Sequence, residues 1–277
     1  MIDENKLNDL KNTAQTLRKL IVETVYNAKS GHIGGSLSSA EILTALYFGE
    51  MNINPAFPRK EDRDRFVLSK GHITPAYYGA LALRGFFPIS DLQGFRKLTS
   101  PLQGHPDRNK VIGVDMSSGS LGQGVSTAVG MALGGKLKNA DFRVYTLVGD
   151  GEMQEGQVWE AFMFASQRKL DNLCVLIDDN GVQADGRVED ICALSPIEQK
   201  LEAFRFNVVV VDGHDFNALF DAFEKAKQVK GKPTAIVCKT TKGKGVSFME
   251  NQSAWHGKVP NEAQYMEALQ ELSKGVD

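Results

Sequence analysis

Two polar chain tips stand out for their donor chemistry: Gly149-Asp150-Gly151 and Asp178-Asp179-Asn180-Gly181, each directly after an apolar run. Asp150 offers a carboxylate and Asn180 a carboxamide oxygen. Hard oxygen donors of this kind suit Mg²⁺ or Ca²⁺ rather than zinc. Mg²⁺ takes about six oxygens and is often held by one or two side chains plus the phosphates of its ligand. Gly149 and Gly151 lack a Cβ, so a diphosphate can approach the backbone there. The chemistry these tips point to is a divalent cation gripping a diphosphate.

The elements that must position the tips read clearly. An apolar run at 144–148 ends at the first tip. A helical stretch at 152–168 follows, and its N-terminal amides are expected to face the anion. A second apolar run, 173–177, ends at the second tip. Strand, helix, strand implies parallel pairing, which puts both tips at the carboxyl end of a sheet, where open α/β sheets bind ligands. Elsewhere, helical spacing of Leu7, Leu10, Ala14, Leu17, Ile21 and Val25 predicts a helix over 6–29. Further helices are expected at 39–48, from Pro75 to about 84, 119–137, 196–204, 215–229 and from about 262. Short strands are expected at 66–68, 207–211 and 234–238. The β-branched run 207–211 reads as a strand buried on both faces. The small residues of 119–137 read as close packing against the sheet. Strands alternating with helices predict a doubly wound α/β fold, a parallel sheet with helices on both faces. A single domain over residues 1–277 is expected, with its core at about 10–260.

Five histidines form a second group: His32, His72, His105, His214 and His256. Four follow a helix or strand end beside a glycine, which brings them within reach of one cleft. Imidazole suits sugar hydroxyls and the oxyanion formed on attack at a carbonyl. His214 reads as turn chemistry before a helix.

Composition narrows the field. A chain of 277 residues with net charge −2 carries no electrostatic signature of a nucleic-acid or membrane surface. No apolar run is long enough to span a membrane, and the polar start MIDENKLNDL is not a secretory signal. A cytoplasmic protein is expected. Cys174, Cys192 and Cys238 read as free thiols in a reducing compartment. No G-x-G-x-x-G follows a strand and no G-x-x-x-x-G-K-[ST] occurs. This argues against a nicotinamide site and a phosphate-binding NTPase loop.

Read as a series, SGHIGGS, LSKGHITPAYY, LQGHPD, SGSLGQG, GDGEMQEG, DDNGVQADG and AWHG follow the order and spacing of the transketolase family. The resemblance covers roughly residues 10–260, nearly the whole chain. It implies a thiamine diphosphate-binding domain of the PP type. The metal shell would use Asp150, the side chain of Asn180 and the carbonyl of Val182. Mg²⁺ is the ion implied, with Ca²⁺ or Mn²⁺ as substitutes. Gly151, Asn180, His72 and His256 would approach the diphosphate, and Gly119 and Leu121 the cofactor rings. His32 and His105, with His256, would face the reacting centre. Glu155 and Glu160 would belong to an acidic network at a subunit interface. Ser120 and Ile33 stand where the family often has proline.

The family also has a second, pyrimidine-binding domain, which supplies the carboxylic acid that activates the cofactor. Full-length transketolases are more than twice as long as this chain. The chain therefore resembles the N-terminal subunit of a split transketolase, inactive alone. A separately encoded C-terminal subunit is the partner expected, in an α₂β₂ assembly. The reaction implied is reversible transfer of a two-carbon ketol unit between sugar phosphates, as in the pentose phosphate pathway. The alternatives are a specialised sugar transketolase, a 1-deoxyxylulose phosphate synthase-like enzyme, a 2-oxoacid dehydrogenase α subunit, or a non-catalytic cofactor-binding subunit.

Overall fold

The computed structural model describes residues 2–274; Met1 and residues 275–277 of the expected domain lie outside the described residues. The helices are α1 Glu4–Ala28, α2 Gly34–Ser38, α3 Ala40–Ala45, α4 Thr74–Arg84, α5 Gln123–Leu137, α6 Gly156–Gln167, α7 Val188–Cys192, α8 Ile197–Ala203, α9 Phe216–Gln228 and α10 Glu262–Ser273. The strands are β1 Arg65–Leu68, β2 Val144–Gly149, β3 Leu173–Asp179, β4 Asn207–Asp212 and β5 Thr234–Lys239. Among the described residues they form one five-stranded sheet in the order β1-β2-β3-β5-β4, with every pair parallel.

Alternation along the strands builds two cores. Phe66, Leu68, Tyr145, Leu147, Cys174, Leu176, Ile236 and Cys238 face one layer, with α1, α3, α4 and α9 packed over them. Val67, Val144, Val148, Val175, Ile177, Ala235 and Val237 face the other, under α5, α6 and α8. Both faces of the central strands are covered, which is why those strands read as continuous apolar runs. The register aligns the carboxyl ends: Gly149 lies opposite Asp178, and Asp179 opposite Lys239. The residues after β1, β2, β3 and β5 therefore emerge side by side.

Four expectations need correction. The stretch 152–168 is a short 3-10 turn, Gly151–Gln154, then an extended residue, Glu155, then α6. The amides that start α6 lie beyond Glu155, so the N-terminus that follows Asp150 directly is that of the short 3-10 turn, not of the α-helix. The helix expected at 39–48 is α3 followed by a π-turn at Leu46–Glu50. β4 is an edge strand, paired only with β5, and its residues are half-buried or exposed, with Val210 49% exposed. Its run of valines reflects strand propensity rather than burial on two faces. Helix α5 begins at Gln123, after Gly122 in the left-handed region at φ 82°. Its Gly124 does pack tightly, since a Cβ there would lie 2.6 Å from Ser69 Cα, but Gly130 and Gly134 face open space.

This burial pattern makes a measurable difference between the sheet's centre and its edge. Phe162, fully buried in the core between the sheet and α6 with its ring 4.8 Å from that of Phe206, is expected to cost about 3–5 kcal/mol when changed to Ala. Val210→Thr on the β4 edge is expected to cost under about 0.5 kcal/mol. Denaturant unfolding checks both; comparable losses would contradict the exposed edge.

Candidate active site

Asp150 follows β2 and ties its tip to the next one. Its Oδ1 accepts from the Gly151 amide at 2.7 Å and its Oδ2 from the Gly181 amide at 2.6 Å. It is buried, and burial together with the nearby Asp178 charge pushes its carboxyl up to about 7. A cation beside it would favour the charged form. Asn180 is also buried. Its Nδ2 donates to Asp178 Oδ2 at 3.0 Å and its Oδ1 accepts from the Val182 amide at 3.1 Å.

Asp178 anchors these tips. It is fully buried and pairs with Lys70, which follows β1. It also accepts from Ser38 Oγ at 2.7 Å, Ser39 Oγ at 3.2 Å, and the Thr240 hydroxyl. Burial alone would raise this carboxyl; the Lys70 ammonium and the Ser38 and Thr240 hydroxyls outweigh it and hold it below the ordinary range. With so many donors on it, Asp178 orients Asn180 rather than ligating a cation itself.

Lys242, in the loop after β5, completes the group. Its ammonium donates to Val182 O at 2.9 Å and Gln183 O at 3.2 Å, and lies 3.1 Å from His256 Nδ1. It is 2% exposed, and burial together with the Lys70 charge pulls it down to about 8. Glu152 links further loop ends: its carboxylate accepts from Ser69 Oγ at 2.6 Å and from the amides of Gly122 at 2.9 Å and Gly149 at 3.2 Å.

Three histidines form a triangle beside this group. The ring centroids of His32 and His72 are 5.0 Å apart, and His256 lies 5.2 Å from each. Burial and neighbouring cations hold them neutral, with His32 near about 4, His256 near about 3 and His72 well below its ordinary value. His105 is lowered too, by burial and then by Arg96. Its ring sits against Gly119, which has φ +152°; a Cβ there would lie 2.7 Å from His105 Cδ2. Only glycine fits both the backbone and the space. Leu121, two residues after Gly119, is an apolar side chain 36% exposed.

The remaining expected residues lie elsewhere. Glu155 and Glu160 are exposed on and before α6, apart from the histidine triangle. Glu155 sits next to Gly122, at the outer rim. His214 is not merely a turn residue: its ring is half-buried between Glu41 and the Thr241 amide.

The donor set fits a diphosphate with its cation. Among the described residues no three His, Cys, Asp or Glu side chains gather as a metal cage. A cation here would draw on one carboxylate, the Asn180 carboxamide and a backbone carbonyl, which leaves room for phosphate oxygens and water, the shell Mg²⁺ favours. His32 Nδ1 is buried without a hydrogen-bond partner among the described residues, a polar atom available at the site.

Comparison with known proteins decides the family. The family model described as "Transketolase, thiamine diphosphate binding domain" matches residues 10–273. The chain belongs to the transketolase family. It is 46% identical to the 6-deoxy-6-sulfo-D-fructose transketolase subunit SqwG of Clostridium sp. (strain MSTE9), covering 96% of this chain and 97% of that protein. It is 42% identical to one of the named subunits of the apulose-4-phosphate transketolase of Phocaeicola vulgatus, covering 94% and 92%. The solved transketolase from Leishmania mexicana superposes with a TM-score of 0.90 at 32% identity, over 95% of this chain and 41% of that one. The chain thus spans about two fifths of the length of that full-length transketolase.

Several residues of this cluster are not legible in the sequence: Lys242, Asp178, Lys70 and Glu152. In sequence, Lys242 stands out only as failing a phosphate-loop pattern. The available signal is a lysine three residues past a strand, in a loop at the same sheet end as both tips.

Two outcomes follow from these electrostatics. His32 and His256 bind protons more weakly folded than unfolded, so they contribute stability that is present above about pH 6.5 and lost as pH falls toward about 4. NMR titration should find both rings neutral at pH 5; midpoints near 6.5 would contradict the effect of burial. Asp178→Ala strands the buried Lys70 ammonium and is expected to cost about 3–5 kcal/mol. Asp179→Ala, whose partner Lys239 is half exposed, is expected to cost under about 1 kcal/mol in the same unfolding series.

Proposed function

We propose that this chain is the cofactor-binding subunit of a split transketolase, which moves a two-carbon ketol unit reversibly from a ketose phosphate to an aldose phosphate. The observation that carries this reading is the convergence of Asp150, Asn180, Val182 O and Lys242 at one sheet end, beside three neutral histidines. Asp150, the Asn180 carboxamide and the Val182 carbonyl would hold Mg²⁺, with Ca²⁺ or Mn²⁺ able to replace it. Gly151, His72, His256 and Lys242 would take the diphosphate, and Gly119 and Leu121 the rings.

Thiamine diphosphate, when bound, supplies the carbon nucleophile and the electron sink. The chain's own residues bind, orient and handle protons. His32, His105 and His256, neutral at working pH, can both donate to and accept from sugar hydroxyls and the reacting oxygen. Burial first, with Arg96 acting on His32 and His105 and Lys242 and Lys70 on His256, keeps them neutral, and these cations favour an anionic ligand. The buried Asp150 stays paired to two amides, so the cation site is built before the ligand arrives.

The activating carboxylic acid would come from a C-terminal, pyrimidine-binding subunit. Two relatives that match over nearly their whole length are themselves named as subunits. The outer surface near Glu155 suits such an assembly. Met163 and Phe164 of α6 and Leu137 of α5 are exposed, and Gly130 and Gly134 leave open space on α5. Glu155 and Glu160 would join an acidic network there, in an α₂β₂ complex formed from a single domain of this chain and its partner. No helix of the described residues is long and apolar enough to cross a membrane, which supports a cytoplasmic setting. Those two relatives are named for 6-deoxy-6-sulfo-D-fructose and apulose-4-phosphate. They favour a specialised sugar with an anionic end over the ordinary pentose phosphates as substrate.

Calorimetry of thiamine diphosphate with Mg²⁺ on the assembled enzyme tests the cation site. Asp150→Ala is expected to weaken binding by at least about a hundredfold. Unchanged affinity would refute the site. Ketol transfer by the chain purified without any partner would refute the split arrangement.

A further inference from the structure

We infer that Arg18, Glu41 and His214 form a buried brace that positions Lys242 for the diphosphate. The inference deepens the functional reading above and rests on its assignment of Lys242.

The brace joins four parts of the chain. Arg18 lies on α1, Glu41 on α3, His214 after β4, and the loop 241–244 after β5. Arg18 Nη2 pairs with Glu41 Oε2 at 2.6 Å, and the same oxygen lies 2.9 Å from His214 Nδ1. On its other side His214 Nε2 accepts from the Thr241 amide at 2.9 Å. Arg18 Nε donates to the Lys244 carbonyl at 3.2 Å. The two flanks of Lys242 are thereby tied to one carboxylate. Lys242 itself is fixed by Asn251 N on its carbonyl at 2.9 Å and by the neighbouring bond of Gly243 N to Gly34 O at 3.0 Å.

Chemistry fixes the tautomer. A backbone N–H only donates, so Nε2 must be the acceptor and the His214 proton sits on Nδ1, facing Glu41. Glu41 therefore sets which nitrogen receives Thr241. Burying this set is costly: Arg18 is 1% exposed and Glu41 6%. A buried ion pair adds little net stability over an apolar filling, so its use lies in fixing a conformation. Burial opposes ionisation of Glu41, yet Arg18 and His214 outweigh it and hold the carboxyl down to about 2, so the brace stays charged. The conformation it fixes ends at the Lys242 ammonium, which meets two carbonyls and His256 at the site. His214 and Glu41 touch neither ligand nor reacting atoms; they act through the loop as positioning residues.

The test is a double-mutant cycle in the full chain with its pyrimidine-domain partner, read by thiamine diphosphate affinity in Mg²⁺ and by amide exchange at Thr241. His214→Ala is expected to speed exchange at Thr241 and to weaken affinity, each by about tenfold, the worth of one hydrogen bond. His214→Gln, which keeps an acceptor for Thr241, should recover most of the affinity. In a Lys242→Met background His214→Ala should cost nothing further. Equal losses in both backgrounds would mean a general structural role and overturn the brace. So would unchanged exchange at Thr241. If Lys242→Met alone leaves affinity intact, the Lys242 assignment falls and the brace with it. If Lys242→Met weakens binding and His214→Ala does not, only the brace falls.

Discussion

The site depends on one buried carboxylate. Asp178 sits at the tip of β3 with no exposure to solvent, and a charge in that position is tolerated only when paired and hydrogen-bonded. Its partners come from four separate places: Ser38 and Ser39 between α2 and α3, Lys70 after β1, Asn180 on its own tip, and Thr240 after β5. Satisfying that charge pulls the loops that carry the chemistry into one arrangement. Asn180 cannot turn its oxygen elsewhere without losing its bond to Asp178. Lys70, drawn inward, also adds its charge to the burial that lowers His72 and His256.

A second consequence is a division of labour among charges. Lys70 and Lys242 are buried cations at the carboxyl end of the sheet, and both press down the proton affinity of His256 and His72. Neutral imidazoles suit exchange of protons with hydroxyls better than imidazolium ions, which only donate. Asp150 shows the opposite pressure. Burial beside another carboxylate raises it, so that a divalent ion there relieves a cost already present in the fold. The site is poised for a cation and an anion together.

The sheet, its parallel sense and both polar tips are legible in the sequence because their signals are local: apolar runs of strand length that stop at Gly-Asp-Gly and Asp-Asp-Asn-Gly. The histidine triangle is partly legible: glycine-flanked positions at element ends put His32, His72 and His256 within reach of one cleft, but their contact is made through three loops far apart in sequence. Lys242 and Asp178 escape for a physical reason. A lysine in a glycine-rich loop reads as solvated, and only the packing of Trp255 and Gly34 around it, together with the Val182 carbonyl, makes it a buried cation. Edge and centre strands alike are unbroken apolar runs of strand length, so β4's exposed position cannot be read from its residues. His214 looks like turn chemistry because the residue it faces, Glu41, is 173 positions away.

The central claim is that a divalent cation binds between the β2 and β3 tips. Crystals grown with thiamine diphosphate and Mn²⁺ in place of Mg²⁺ test it most directly, through the anomalous signal of the metal. The expected result is one strong peak within coordination distance of an Asp150 carboxylate oxygen, Asn180 Oδ1 and the Val182 carbonyl. Cofactor density with the metal elsewhere, and Asp150 still bonded only to the Gly151 and Gly181 amides, would contradict the claim.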